Sequence, residues 1–195
     1  MIRGLLLCGG GSSRFGSDKL LHRHSRASGP VEAQPLAVQS ARHLIEGAGN
    51  ALAVIPMGAA ELRRVLEEAG CEILESPHTI RGMGASLAAG VAASSDADGW
   101  IVALGDMPFI APATIAAVRE RLEHGALLAA PILRASGQRG HPVGFSRALH
   151  SELAAVDGDE GARSVIAQHR GEILLVEVDD PGIVTDIDAP RDLPH

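Results

Sequence analysis

The stretch from Leu5 to Leu21 constrains this chain more than any other. The apolar run Leu5-Leu6-Leu7-Cys8 enters three consecutive glycines, Gly9, Gly10 and Gly11, and Ser12, Arg14, Gly16 and Lys19 follow. A short apolar run that ends in glycine reads as a buried strand with a sharp turn. Glycines without Cβ let backbone N–H groups close around an anion. Arg14 and Lys19, five residues apart, supply cations that can neutralise a polyphosphate. Two familiar cradles do not fit. The dinucleotide pattern G-x-G-x-x-G is met by Gly9 and Gly11 but broken by Arg14, and the P-loop is met by Gly11 and Gly16 but broken by Ser17-Asp18. A glycine-rich surface turn with incidental charges accounts poorly for the strand and both cations together.

The rest of the chain alternates strand-like and helix-like segments. Strands are expected at Leu5–Cys8, Ala51–Ile55, Cys71–Leu74 and Trp100–Leu104, and helices at Leu36–Glu46, Ala60–Ala69, Met83–Ala93 and Ala113–Glu123. Ala126–Leu133 and His141–Phe145 read as two strands around the turn 135–140; Ser151–Val156 and Gly161–His169 are helical, and Ile173–Val178 is a late strand. Near-continuous apolar strands between helices predict a mostly parallel sheet covered on both faces, a three-layer α/β/α sandwich of Rossmann-like type with a mixed edge. At 195 residues this is one domain, 1–195. His22–Ala33 breaks the rhythm and reads as a flexible loop, and its His22-x-His24 pair lacks a partner with which to hold a metal.

Composition removes several classes of function. A formal charge of −7 and an aromatic content of 2%, with no tyrosine, argue against nucleic-acid binding, which needs a basic face or stacking rings. The apolar start is too short for a signal peptide, and no segment approaches the ~20 apolar residues of a membrane span. Cys8 and Cys71 form neither a pairing nor a metal pattern and read as buried thiols of a reducing compartment, so the cytoplasm is expected.

A second site element follows the strand Trp100–Leu104, where Gly105-Asp106-Met107-Pro108 ends the sheet. In an open α/β sheet the carboxyl ends of the strands form the ligand crevice, so Asp106 shares a rim with Gly9. A carboxylate there can hold Mg²⁺, which prefers oxygen ligands and shares them with phosphates; the alternative is capping of the helix near Pro112. Asp186 and Asp188, two apart, point to one side of an extended segment. Capping of a helix after Pro190 is the alternative for Asp188, and Asp192 reads as a helix-start charge.

The first loop resembles the L-x-G-G-x-S-x-R-x-G-x-x-K signature of nucleotidyltransferases that activate small phosphorylated molecules with an NTP. Gly105-Asp106-Met107-Pro108 resembles that family's metal motif, and Asp186-Ile187-Asp188-Ala189-Pro190-Arg191-Asp192-Leu193 its closing D-I-D-T-P-x-D-L. Ser76-Pro77 through Gly82-Met83-Gly84-Ala85-Ser86-Leu87 resembles N-P-x-x-x-x-G-M-x-x-S-L; Gln138 to Phe145 resembles Q-x-G-H-P-V-x-F, and Asp157 to Arg163 the G-D-x-G-A-R turn. In this order they are similar to the molybdenum cofactor nucleotidyltransferases, in particular the cytidylyltransferase branch, with the fold of nucleotide-diphospho-sugar transferases. Departures are Cys8-Gly9 for Ala-Ala, Ser76 for Asn, Ala189 for Thr, and the 22–33 loop.

The resemblance implies a nucleotide site of Leu7, Cys8, Gly9, Gly10, Gly11, Ser12, Arg14, Lys19, Ser76, Gly82, Met83, Ser86 and Asp106, with Arg14, Lys19 and Asp106 catalytic. Mg²⁺ would sit on Asp106 and Asp188, with Asp186 second, and the acceptor on His141, Pro142 and Arg163. A division of the domain into a nucleotide-binding half at 1–110 and an acceptor-binding half at 111–195 is likewise what the resemblance implies. His141 could instead be a strand histidine satisfied by backbone, and Arg163 could pair with Asp159 or Glu160. The implied partners are CTP, a phosphorylated acceptor such as molybdopterin, and a molybdoenzyme or its chaperone as docking partner. GTP in place of CTP, a sugar or polyol phosphate as acceptor, and nucleotide sensing without turnover stay open.

Overall fold

The computed structural model describes residues 1–9, 19–24 and 33–187. Its axis is β1 (Ile2–Leu7), where every residue but Arg3 is buried. β1 pairs in parallel with β2 (Leu52–Pro56) on one side and with β4 (Gly99–Leu104) on the other, and β3 (Glu72–Ser76) extends the sheet beyond β2. Beyond β4 lie β6 (Val143–Ser146), β5 (Leu128–Leu133) and β7 (Ile173–Val178), giving a seven-stranded sheet in the order β3-β2-β1-β4-β6-β5-β7. Within it β6 runs antiparallel to both neighbours while β5 and β7 are parallel. The antiparallel member therefore lies inside the second half of the sheet, and the edge itself is the parallel strand β7.

Two apolar layers close on this sheet. Leu6, Ala53, Ile55, Ile101 and Ala103 face α1 (Leu36–Ala48), α2 (Ala60–Glu68) and α4 (Pro112–Glu123). Leu5, Leu7, Val54, Trp100 and Val102 face α3 (Met83–Ala93), α5 (His150–Ala154) and α6 (Arg163–Gln168). Alternate residues of one strand thus feed opposite cores, which is the period of two that buries both faces. Cys8 and Cys71 are buried and lie outside any disulfide, and burial pushes the Cys71 thiol up to about 12. Among the described residues no helix is long and apolar enough to cross a membrane.

Two expectations from the sequence change. α1 does not stop before Gly47 but runs on to Ala48, closed by Gly49 in the left-handed conformation (φ 86°) with its N–H on Ile45 O. Gly47 is a packing residue: a Cβ there would lie 2.5 Å from Ile115 Cβ, so its absence lets α1 press against α4. The segment expected as a loop from His22 to Ala33 begins and leaves as a small antiparallel ladder, Arg23–His24 on Gln34–Pro35; residues 25–32 lie outside the described part.

Candidate active site

The parallel strands β1 to β4 all end on one rim. At the end of β1, Cys8 donates its N–H to Val54 O, and Gly9 passes over α3. A Cβ on Gly9 would stand 2.7 Å from Ser86 Oγ and 3.2 Å from Thr79 Cβ, so only glycine lets the chain leave the strand here. The Ser86 hydroxyl donates to Gly82 O (3.0 Å), and Ser76 Oγ accepts the His78 N–H (3.2 Å). Both serines are buried and hold the backbone of the 76–82 turn that leads into α3. Of the expected nucleotide and metal residues, Gly10, Gly11, Ser12, Arg14 and Asp188 lie outside the described residues.

Lys19 opens a single turn, Lys19–Leu21, and its Nζ lies 2.9 Å from Asp106 Oδ2. These side chains are only 12% and 27% exposed, so the cation and the candidate metal carboxylate form one part-buried unit. The strand ends meet flush, since Gly105 donates to Leu7 O (3.0 Å) and a Cβ on Gly105 would press on Cys8 Sγ and Leu20. Asp106 does not cap α4. The carboxylate at that helix start belongs to Asp180, which accepts from Ala111 N and Thr114 Oγ1.

The closing segment reaches the same rim. Ile187, fully buried with Leu36 and Phe109, donates its N–H to Asp106 O (3.1 Å). Asp186, its exposed neighbour, lines the same cavity as His141. Among the described residues no three His, Cys, Asp or Glu side chains form a ready cation cage. Asp106 and Asp186 supply two hard oxygen donors, which fits a Mg²⁺-like ion that completes its shell with water and phosphate.

Beside these carboxylates lies a cavity of about 550 Å³. Its floor is apolar, with Leu7, Leu87, Val102, Leu104 and Phe145, and its rim carries Met83, His141, Arg163 and Asp186. His141 precedes a cis proline, Pro142, and donates its backbone N–H to Ile183 O (2.9 Å). Burial holds the His141 imidazole below its ordinary value, and a hydrogen bond with the Val102 backbone and the charges of Asp106 and Asp186 oppose this only in part. Its Nδ1 is buried and has no partner among the described groups. The backbone thus satisfies only part of this histidine. Arg163 starts α6, exposed at the cavity wall, and forms no ion pair with Asp159 or Glu160 among the described contacts.

Two segments assigned to different ligands in the sequence prove to be interlocked. Gly82, at φ 119° and ψ −172°, lies against the 157–161 turn, where its Cβ would overlap Asp159 Oδ1 and stand 2.6 Å from Gly158 O. A Cβ on Gly84 would meet Asp157 O at 2.6 Å, and Gly161 lies against Met83 Sδ. Arg81 adds a latch, with Nε and Nη2 both on Asp157 Oδ1 (3.0 and 2.9 Å). Asp159, Glu160, Ile183 and Val184 also line the cavity and were missed as site residues. The glycines at 82, 84, 158 and 161 were the available signal, because closely spaced glycines in two segments mark backbone against backbone.

Comparison with known proteins finds relatives over nearly the whole chain. The family described as "MobA-like NTP transferase domain" matches residues 4–173. Nicotine blue oxidoreductase of Paenarthrobacter nicotinovorans is 27% identical over 196 residues, covering 96% of this chain and 92% of that protein. The crystal structure of Rv0371c from Mycobacterium tuberculosis H37Rv is 26% identical with a TM-score of 0.78, covering 98% of this chain and 94% of that one. That protein is also known as a manganese complex, at TM-score 0.72 and 22% identity over 100% of this chain and 92% of that one. A nucleotidyl transferase from Methanothermobacter superposes with a TM-score of 0.76 at 22% identity, covering 98% of this chain and 94% of that one.

Proposed function

The chain belongs to the MobA-like NTP transferase family, and on that premise we propose that it transfers CMP from CTP to a phosphorylated acceptor of molybdopterin type. The observation that carries this reading is the Lys19–Asp106 pair (2.9 Å) at the strand rim, with Asp186 and an acceptor-sized cavity beside it. An acceptor phosphate oxygen attacks the α-phosphorus, the bond to the β-phosphate oxygen breaks, and pyrophosphate leaves. Such a transfer needs positioning and charge neutralisation more than covalent help from the protein. No general base is required, because a phosphate monoester is already largely ionised near pH 7.

Lys19, with Arg14, would neutralise the β- and γ-phosphates, while Asp106, Asp186 and Asp188 would hold Mg²⁺. A bound divalent ion supplies Lewis-acid polarisation of the phosphoryl oxygens. The manganese complex of Rv0371c supports a divalent cation in this fold. Gly82 and Met83, which open α3, would border the nucleotide, and His141 and Arg163, which line the cavity, would face the acceptor; Pro142, expected beside them, is buried and does not line that cavity. Only arginine among the cations offers a planar bidentate fork to a phosphate. The buried thiols of Cys8 and Cys71 support a reducing, cytoplasmic setting, and a molybdoenzyme or its chaperone is the natural recipient of the product.

The relationship to an oxidoreductase favours one rival, hydride transfer from a dinucleotide. Arg14 in place of the third fingerprint glycine speaks against it. The deciding experiment offers each NTP with molybdopterin, sugar phosphates and polyol phosphates and follows pyrophosphate, with a parallel arm following reduced nicotinamide absorbance. CTP-dependent pyrophosphate release with the pterin is expected. Dinucleotide oxidation without pyrophosphate would overturn the reading.

A further inference from the structure

Asp180 belongs to none of the motifs read from the sequence and lies outside the cavity wall. Its carboxylate nevertheless makes three hydrogen bonds that tie two segments together. Oδ2 accepts from Ala111 N (2.8 Å) and Thr114 Oγ1 (2.7 Å) at the start of α4, and Oδ1 accepts from Gly182 N (3.0 Å). Ala111 itself offers no side-chain cap, so α4 borrows its capping carboxylate from a segment 69 residues away.

What that carboxylate holds is the single turn Pro181–Val184, the start of a strap across the site. Ile183 O accepts from His141 N (2.9 Å), and Ile187 N donates to Asp106 O (3.1 Å). Asp186 lies between these two anchors. The strap has no slack, because a Cβ on Gly182 would overlap Phe109 O and one on Gly140 would overlap Ile183 O. Fixing residue 180 to α4 therefore fixes where the Asp186 carboxylate and the His141 backbone stand relative to Asp106.

We propose that Asp180 is the positioning residue of this site: it clamps the carboxylate-bearing strap to α4 and so sets the separation of Asp186 from Asp106. The metal and turnover parts of this proposal rest on the transfer reading above; the positioning part does not. Asparagine cannot replace it. Both of its carboxylate oxygens face backbone N–H donors, and an amide presents one oxygen and one NH₂.

Amide hydrogen exchange and Mn²⁺ titration on the full chain test it, with Asp180→Asn, Thr114→Ser and, as a stability control, Ser94→Ala. Ser94 accepts from the Trp100 indole (2.9 Å) and is not among the cavity-lining residues. In Asp180→Asn the Ile187 and His141 amides should exchange at least about tenfold faster. Mn²⁺ should bind roughly 10–100-fold more weakly, as when a partner that orients a metal ligand is removed. Thr114→Ser should behave as wild type, and Ser94→Ala should melt earlier with Mn²⁺ affinity unchanged. If Asp180→Asn only melts earlier, with both amides still protected and Mn²⁺ bound as in wild type, Asp180 is a helix cap and the proposal fails. If wild type releases no pyrophosphate from any pair of substrates, the transfer reading fails while amide exchange still decides the role of Asp180.

Discussion

Replacing Gly82 by alanine separates two costs that usually arrive together. The first is conformational: φ 119° with ψ −172° is a region essentially reserved for glycine, and holding another residue there costs about 1–3 kcal/mol. The second is steric. The new methyl would overlap Asp159 Oδ1, which can swing aside, and would stand 2.6 Å from the carbonyl carbon and oxygen of Gly158, which cannot move without the turn. Overpacking of this kind costs typically 1–3 kcal/mol, so Gly82→Ala should lose roughly 2–6 kcal/mol in all.

Gly125 provides the control within the same molecule, since it has φ 89° and nothing within 4 Å of its would-be Cβ. Gly125→Ala should therefore show only the left-handed penalty, about 1–2 kcal/mol. Urea denaturation with unchanged slope would give the difference directly. The displaced turn carries Gly161 away from Met83 and opens the cavity wall, so the acceptor KM should also rise in Gly82→Ala and not in Gly125→Ala. If the two variants agree within about 0.5 kcal/mol, the usual spread of a surface change, the interlock of the two segments does not bear on stability and the reasoning fails.

Asp106→Ala should abolish pyrophosphate release while the circular dichroism stays native, and chelation of wild type should have the same effect. Lys19→Met should weaken CTP binding by about 1.5–3 kcal/mol, the worth of a charged hydrogen bond, yet strengthen binding of Mn²⁺ alone, because a competing cation leaves Asp106; calorimetry reads both. Arg163→Lys and His141→Ala should raise the acceptor KM and leave CTP affinity unchanged in steady-state kinetics. His169 is raised above its ordinary value by Glu172 and then Glu152. Its stabilisation is therefore full below the unfolded value of about 6.5 and disappears as pH rises through the higher folded value. The melting-temperature gap between wild type and His169→Gln should be wide at pH 5.5 and narrow by pH 8.5.

The apolar runs made the central strands legible, since β1, β2 and β4 are buried on both faces and carry continuous hydrophobic sequence. The rim position of Asp106 followed from the strand that precedes it. Gly47 misled because a glycine in a helical pattern usually signals an end, whereas here tertiary packing against Ile115 overrides that local rule. β6 could be seen as a strand, but its direction depends on partners distant in the chain. The contact of Gly82 with Gly158, 76 residues on, left a trace only as glycines of unassigned purpose. Asp180 left none, because a capping carboxylate supplied across the fold has no sequence spacing to betray it.

The Lys19–Asp106 pair shows how one arrangement can serve both the free and the loaded site. At 2.9 Å and an effective dielectric near 20, the bare attraction is roughly 6 kcal/mol, an upper bound that desolvation and solvent exposure reduce. Without Lys19, Asp106 would lose the cation it pairs with, beside Asp186 and a His141 whose burial disfavours its charged form. On the proposed transfer reading, the lysine would hold the carboxylate in place until a divalent ion and a triphosphate arrive together. Each member of the pair would then find a partner of opposite charge, the carboxylate on the metal and the ammonium on the phosphates. Neither a free metal nor a free nucleotide compensates both at once, which favours the metal–nucleotide complex as the species that enters.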